Sequence, residues 1–389
     1  MNRIKLTLAC FLAYFALSGT LAPIGILAKP AAQMLQVSVA DMVRSLGMFS
    51  SGTLMGSIAA LFILGRVPLK QLTLCLYGLS ACCVVALLTL ADNLKMLSGS
   101  LMVLGLCLGV GLAQAALIIS RLYQAERRAS MLVATDASFS LAGFSVASLS
   151  VALLTAGFPW NWTYLIILLA IVCVVGIAVT SRYPDESDAV ASAAVDPHSS
   201  GWPLPVWMLT GLLFFYTFGQ TTSLTWLPLV AETQLGLATE AARGLVGNYW
   251  LGMFIGQLLT VWLVVYVGVS RMLVAGALGG FVVSALLVWI DVPAGSHGQI
   301  AVLWGICNFG LLKCVISKAT NYFDRVPAVL VSSMLLSASF GTALSPWISS
   351  WIVEIAGQWH GLLVGQVSLG IVALVAIGVV ILIPNSLRK

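Results

Sequence analysis

Apolar residues in this chain fall into long runs, and polar residues collect in the gaps between them. Taking charges, prolines and Asn/Asp/Gly clusters as breaks gives twelve runs, at roughly 5–28, 42–65, 71–91, 96–119, 131–157, 162–181, 204–230, 243–267, 271–290, 298–318, 328–354 and 360–384. Each is close to the ~20 residues a helix needs to cross hydrocarbon. A backbone in hydrocarbon must satisfy its own N–H and C=O groups, so the runs predict helices. The first run has a basic start, NRIK, but Leu6 to Ala28 is too long for a leader and is followed by many similar runs. It reads as a first span.

Composition agrees with the pattern. Hydrophobic residues make up 60% of the 389 and charged residues only 8%. Such a chain has too little polar surface to face water on all sides, and an integral membrane protein is expected. The net charge of +5 comes from single basic residues at the ends of runs, which excludes a nucleic-acid interface. An even number of spans puts both termini on one side. With that side cytoplasmic, Arg3, Lys5, Arg66, Lys70, Arg121, Arg127, Arg128, Arg182, Arg271, Lys318, Arg325, Arg388 and Lys389 lie inside. Lys29, Arg44, Lys95 and Arg243 lie outside, so the split is thirteen against four, and it fixes the orientation. The expected location is a bacterial inner membrane, multi-pass.

The longest polar interval, SRYPDESDAVASAAVDPHSSGWP, reads as a flexible cytoplasmic linker. It divides the chain into a six-helix bundle over 1–181, a linker over 182–203 and a second six-helix bundle over 204–389. Two pairs of segments repeat across it. DMVRSLGMFSSGTLMG (41–56) resembles EAARGLVGNYWLGMFIG (240–256), each with an acid, an arginine three residues on, and glycines four apart: Gly52/Gly56 and Gly252/Gly256. SRLYQAERRASML (120–132) resembles SKATNYFDRVPAVL (317–330), with the acid–Arg pairs Glu126-Arg127 and Asp324-Arg325. Six-plus-six repeats point to a transporter built from two bundles around a cavity. The glycine pairs serve either the surface where two bundles rock or ordinary close packing inside one bundle.

Enzyme chemistry has no foothold. The chain lacks a phosphate-cradling GxxxxGK[ST], an HExxH and a GxSxG. Its eight cysteines sit in apolar runs without metal spacing, and His198, His297 and His360 are scattered, so neither a metal nor a cofactor is expected.

Two charged groups remain inside spans, Asp136 and Lys313. Both fall roughly 7–9 Å below the cytoplasmic surface at 1.5 Å per residue. A charge at such depth points to a bundle interior or a wet cavity. The two are expected to pair across the halves as a gate or coupling device. The alternatives are snorkelling of Lys313 and pairing of Asp136 with Arg121 or Arg127 in its own half. Near the outer face, Asp41-Arg44 and Glu240-Arg243 are either helix caps or an outer gate. Uncharged polar and aromatic residues at mid-depth, Gln114, Tyr216, Gln220, Thr221, Trp226 and Asn308, are candidates for the substrate path.

The whole chain resembles the major facilitator superfamily, in its twelve spans, its long central loop and the basic GRVPLKQ (65–71) between spans 2 and 3. NRIKLT (2–7), VPLK (67–70) and TDASFSLAG (135–143) resemble TsgA-type proteins of the fucose-permease-like branch. The resemblance implies two six-helix bundles related by a pseudo-two-fold, with spans 1, 4, 7 and 10 around the cavity. It implies alternating access for a small solute, with a coupling proton in some members. The chain departs from the superfamily pattern at Gly65, where an Asp is usual, and at Val103, where an Arg is common. Gly19 and Gln114 stand where fucose-permease-like proteins carry coupling carboxylates. Span 5 (LAGFSVASLSVALL) lacks the Gly-Pro motif of drug antiporters. The expected function is secondary transport of a small, sugar-like polar solute by a monomer among membrane lipids. A small anion drawn by Lys313, or a sensor or assembly protein that moves nothing, are the alternatives.

Overall fold

The computed structural model describes residues 2–90, 93–183, 202–290, 292–308, 310–323 and 328–382. The chain divides into two compact units, Met1–Ser192 and Ala193–Lys389. Most of the expected linker lies outside the described residues, as do Asp324, Arg325, Arg388 and Lys389.

Unit 1 consists of α1 (Asn2–Leu21), α2 (Ile24–Leu35), α3 (Val39–Ile63), α4 (Leu69–Thr89), α5 (Leu94–Leu122), α6 (Ala125–Thr155) and α7 (Tyr164–Thr180). Unit 2 consists of α8 (Leu204–Thr233), α9 (Thr239–Val267), α10 (Val269–Trp289), α11 (His297–Asn308), α12 (Leu311–Thr320), α13 (Ala328–Ala356) and α14 (Gln358–Ile377). Ten described stretches are long and apolar enough to cross a bilayer, α11 and α12 counting as one. Helices α8 and α9 supply the remaining two runs, with 30 and 29 residues.

Three boundaries depart from the runs. The first run is not one helix: α1 ends at Leu21 and α2 starts after Pro23, which has no N–H to continue the ladder. Lys29 does not end that segment, and α2 continues through Lys29 and Pro30 to Leu35. The tenth run is interrupted at Gly310, between α11 and α12. Span 5 starts early, because Arg127 sits in the opening turn of α6 instead of ending a loop.

The two units repeat one packing scheme. In unit 1, α3 lies along α5, α1 packs on α5, α6 and α7, and α4 bridges α5 and α7. In unit 2, α9 lies along α11, α8 packs on α13 and α14, and α10 bridges α11 and α14. A Cβ on Gly52 would strike the Met102 backbone, and one on Gly105 the Phe49 backbone. In unit 2, a Cβ on Gly252 would strike Val302, and one on Gly305 would strike Tyr249. The counterparts are two hundred residues apart each time (49 and 249, 52 and 252, 102 and 302, 105 and 305). Turns repeat too: Gly157 and Gly357, each just past a long helix, take φ of +81° and +90°, a region open to glycine at no steric cost. The glycines are therefore closures inside each unit, and the rocking-surface alternative fails for them. Two backbones can touch at these crossings because neither helix carries a side chain there.

Candidate functional site

A polar cluster lies in unit 2, where α8, α9, α10 and α11 meet. Gln220 and Tyr216 lie four residues apart on α8 and so share a face. The Gln220 Nε2 donates to the Tyr249 hydroxyl of α9 at 2.6 Å. Tyr216 and Tyr249 lie within electrostatic reach of each other. The Tyr216 hydroxyl donates to the backbone carbonyl of Asn308 at 3.3 Å. Asn308 is the last residue of α11. The Asn308 amide turns back to donate to Trp304 O at 2.9 Å.

The surroundings fit this chain of groups. Tyr249 stacks obliquely on Trp304, with ring centroids 4.4 Å apart. Tyr216, Tyr249, Trp304 and Asn308 are all buried, while Gln220 is half-buried. The Trp304 indole N–H has no hydrogen-bond partner among the described residues. On α10, a Cβ at Gly280 would come within 2.8 Å of Asn308 Oδ1, and one at Gly276 within 3.0 Å of Cys307 O. Glycines on α10 thus leave room for the end of α11.

The remaining expected site residues are dispersed. Gln114 lies in the interior of unit 1, where its Nε2 donates to Leu69 O at 2.6 Å and to Thr73 Oγ1 at 2.9 Å on α4. It also lines a small cleft with Cys10, Tyr77 and Tyr183, which has room for about one water. Burial pushes the Tyr183 phenol up. Trp226 is fully buried beside Gly361 of α14. Thr221 is half-buried one residue beyond Gln220.

Asp136 is half-buried on α6, with one carboxylate oxygen wholly enclosed. Two residues on, Ser138 donates to Phe11 O of α1 at 2.9 Å, which seats this stretch against α1. Tyr14 of α1 lies within electrostatic reach of Asp136. Among the described residues the enclosed Nη1 of Arg121 has no hydrogen-bond partner. Arg127 is exposed, as is Lys313 on α12.

At the outer ends the two expected pairs differ. Arg44 bonds Asp41 at 2.8 Å, and Ser38 accepts from the Asp41 N–H at 3.0 Å, which makes a capped helix start. Glu240 is exposed in the first turn of α9. Arg243 instead feels Glu232, near the end of α8, whose carboxylate accepts from Thr239 at 3.0 Å.

Sequence reasoning missed two residues and left a third unranked. Tyr249 was one polar residue among several in its span, and its role appears only once Gln220 is placed beside it. Trp304 and Glu232 gave no signal of their own. Lys318, assigned to the cytoplasmic interface, is buried in the last turn of α12 with its ammonium 5.6 Å from the Tyr322 ring. A cation at a helix C-terminus is favoured by the dipole.

The sequence profile of the Major Facilitator Superfamily matches residues 6–333. The chain belongs to that superfamily: it is a multi-pass membrane transporter and not an enzyme. Among relatives, the protein TsgA of Escherichia coli O1:K1 is 26% identical over 367 residues, which cover 93% of this chain and 91% of that protein. Among solved structures, the inward-open xylose transporter XylE of E. coli superposes with a TM-score of 0.76 at 11% identity, covering 98% of this chain and 96% of that one. A variant of the nucleoside transporter NupG gives 0.73 at 12% identity, covering 97% and 99%. At such identities these structures share the fold.

Proposed function

We propose that the chain is a secondary transporter of a small, uncharged, hydroxyl-rich solute, working by alternating access in a bacterial inner membrane with both termini in the cytoplasm. The observation that carries this reading is the Gln220–Tyr249–Tyr216–Asn308 cluster. It offers amide and hydroxyl groups beside aromatic faces and contains no charge. Uncharged donors and acceptors with aromatic walls suit a polyhydroxylated solute better than an ion. Among proteins of this fold, XylE is titled a xylose transporter and NupG a nucleoside transporter, which supports the same solute class. Gln220 and Thr221 are the residues assigned to substrate contact, since both are half-buried where their neighbours are enclosed. Asp136 and Lys313 are assigned to gating.

The test is uptake into proteoliposomes of a labelled panel that includes D-xylose, a nucleoside and small organic anions, with and without a proton gradient. A neutral member of the panel is expected to enter, and Gln220→Met is expected to raise its half-saturation concentration at least ~tenfold, about 1.4 kcal/mol. Selective entry of anions, abolished by Lys313→Gln, would favour the anion reading. No entry of any solute would favour a sensor.

A further inference from the structure

We propose that Tyr183 is the stopper of the polar cleft in unit 1 and that Asn2 clasps it in place. The groups around Gln114 are then sealed from water at the end of the unit where α1 begins. The seal is independent of which solute the chain carries.

The way α7 ends sets up the stopper. A helix leaves its last carbonyls without donors, and its dipole favours a cation there. Lys70, in the first turn of α4, meets both needs: its ammonium donates to Val179 O at 3.0 Å and to Ser181 O at 3.3 Å. Ser181 is extended, with φ of −109° and ψ of 152°. In extended backbone successive side chains point to opposite sides. Ser181 is accordingly buried, Arg182 exposed, and Tyr183 turned back to line the cleft. Asn2, the first residue of α1, fixes the residue between them. Its amide nitrogen donates to Arg182 O at 2.6 Å, and its amide oxygen accepts from the Arg182 N–H at 2.9 Å. Two directional bonds from one planar amide set the course of the backbone as well as its place. A flexible linker was expected from 182, yet its first two residues are tied to unit 1.

The cleft is built so that one side chain can close it. Its walls come from α1, α4, α5 and α7, and every described lining residue is buried except Tyr183, which is half-buried. Tyr183 is thus the lining residue that faces both the cleft and the surroundings. Inside lie the Cys10 thiol, the Tyr77 phenol and Gln114, whose amide ties α5 to Leu69 O and Thr73 Oγ1 of α4. Water admitted in numbers would compete for those same acceptors. The rest of the mouth is fixed. Thr7 of α1 shares a hydrogen bond with the Tyr123 hydroxyl at 2.9 Å, and the Arg3 guanidinium lies 3.9 Å from the centre of the Tyr123 ring, which pins the start of α1 to the end of α5. The two Asn2 bonds to Arg182 are exposed. Exposed backbone bonds open at low free energy, so the clasp is where the seal can yield.

Reactivity of Cys10 tests this on the full chain in lipid nanodiscs. The probe is 2-aminoethyl methanethiosulfonate, a small water-borne cation, and mass spectrometry of the peptides reads each cysteine separately. Tyr183→Ala is expected to speed labelling of Cys10 at least ~tenfold, as a local opening made easier. Asn2→Ala keeps the phenol and removes the clasp, and it is expected to speed labelling about fivefold. Tyr183→Phe is expected to match the unaltered chain, because the ring seals and the hydroxyl does not. Cys107, buried in the same unit outside the cleft, is the control and should label no faster in any variant. If Tyr183→Ala speeds Cys107 as well, the unit has loosened, and Asn2→Ala, which alters only an exposed side chain, decides. Unchanged Cys10 labelling in Tyr183→Ala or in Asn2→Ala would overturn the inference. So would a rise at Cys107 equal to that at Cys10 in Asn2→Ala, or Tyr183→Phe labelling as fast as Tyr183→Ala.

Discussion

In unit 1 the helix that crosses α3 runs unbroken for 29 residues; in unit 2 its counterpart is described as two pieces, His297–Asn308 and Leu311–Thr320, the second starting after Gly310. The crossings that hold the two in place are otherwise the same, glycine against backbone, two hundred residues apart. The polar groups beside them are not. Gln114 spends its amide inside unit 1, on a carbonyl and a hydroxyl of α4. Gln220 donates to the Tyr249 hydroxyl of α9, and Tyr216, one turn before it on α8, donates to Asn308 O of α11. A duplicated scaffold thus carries one half whose buried amide ties α5 to α4 and another whose half-buried amide ties α8 to α9.

The largest effect expected from testing this comparison is at the crossings. Gly52→Leu and Gly252→Leu would each push a side chain into the partner backbone, which cannot turn aside as a flexible side chain can. Each should cost about 3 kcal/mol or more and leave little monodisperse protein after detergent extraction. Equal losses would affirm that the two crossings are equivalent. Tolerance in one unit would show the repeat to be superficial there.

Next in size is the charge pair assigned to gating. Asp136 and Lys313 belong to different units, so exchange of their charges asks whether the halves communicate. On the gating assignment, Asp136→Lys or Lys313→Asp alone should lower uptake at least ~tenfold, about 1.4 kcal/mol. The double exchange should recover most of that loss. If it rescues no more than either single change, the assignment is wrong and the two charges act separately.

These expectations also mark what a sequence can reveal. Helices are legible because hydrocarbon allows few alternatives, so twelve runs predicted the spans. Pro23 was visible in the chain, but its effect was not, since Lys29 looked like the stronger break. A proline removes a hydrogen bond wherever it sits, whereas a lysine stem can be accommodated along a helix. Gly310 was hidden for the opposite reason: glycine is common in these spans, and only its place after Asn308 makes it an interruption. Gln114, Gln220 and Asn308 all had the right chemistry to be singled out. Their partners were not legible, because Leu69 O and Asn308 O are backbone atoms, and Tyr249 is brought to its place by a crossing in which its own backbone meets Gly305.

A smaller effect separates the two amides directly. Gln114→Met removes two hydrogen bonds, while Thr73 still donates to Leu69 O at 2.8 Å. The cost should be about 1–2 kcal/mol of stability, with the half-saturation concentration for uptake unchanged. Gln220→Met should do the reverse: modest loss of stability and a large change in uptake. A thermal unfolding series run beside the uptake assay reads both. If Gln114→Met shifts half-saturation as much as Gln220→Met, the division of labour between the units fails.

The smallest effect lies at the outer ends, where the acid–arginine pairs gave a choice between caps and a gate. At the start of α3, Ser38 accepts from the Asp41 N–H and Asp41 holds Arg44. At the start of α9 the cap position is Ala238, which has no side-chain acceptor, and Thr239 reaches back to Glu232 instead. Ser38→Ala should therefore destabilise unit 1 by about 1 kcal/mol, while Ala238→Ser should stabilise unit 2 by a comparable or smaller amount. The Asp41–Arg44 pair itself, partly exposed and one turn apart, adds only ~0.5 kcal/mol. Uptake decides between the two readings. A cap stabilises α3 in every state of a transport cycle, so Ser38→Ala should leave the uptake rate unchanged. A gate stabilises one state over another, so loosening it should change the rate more than the melting temperature.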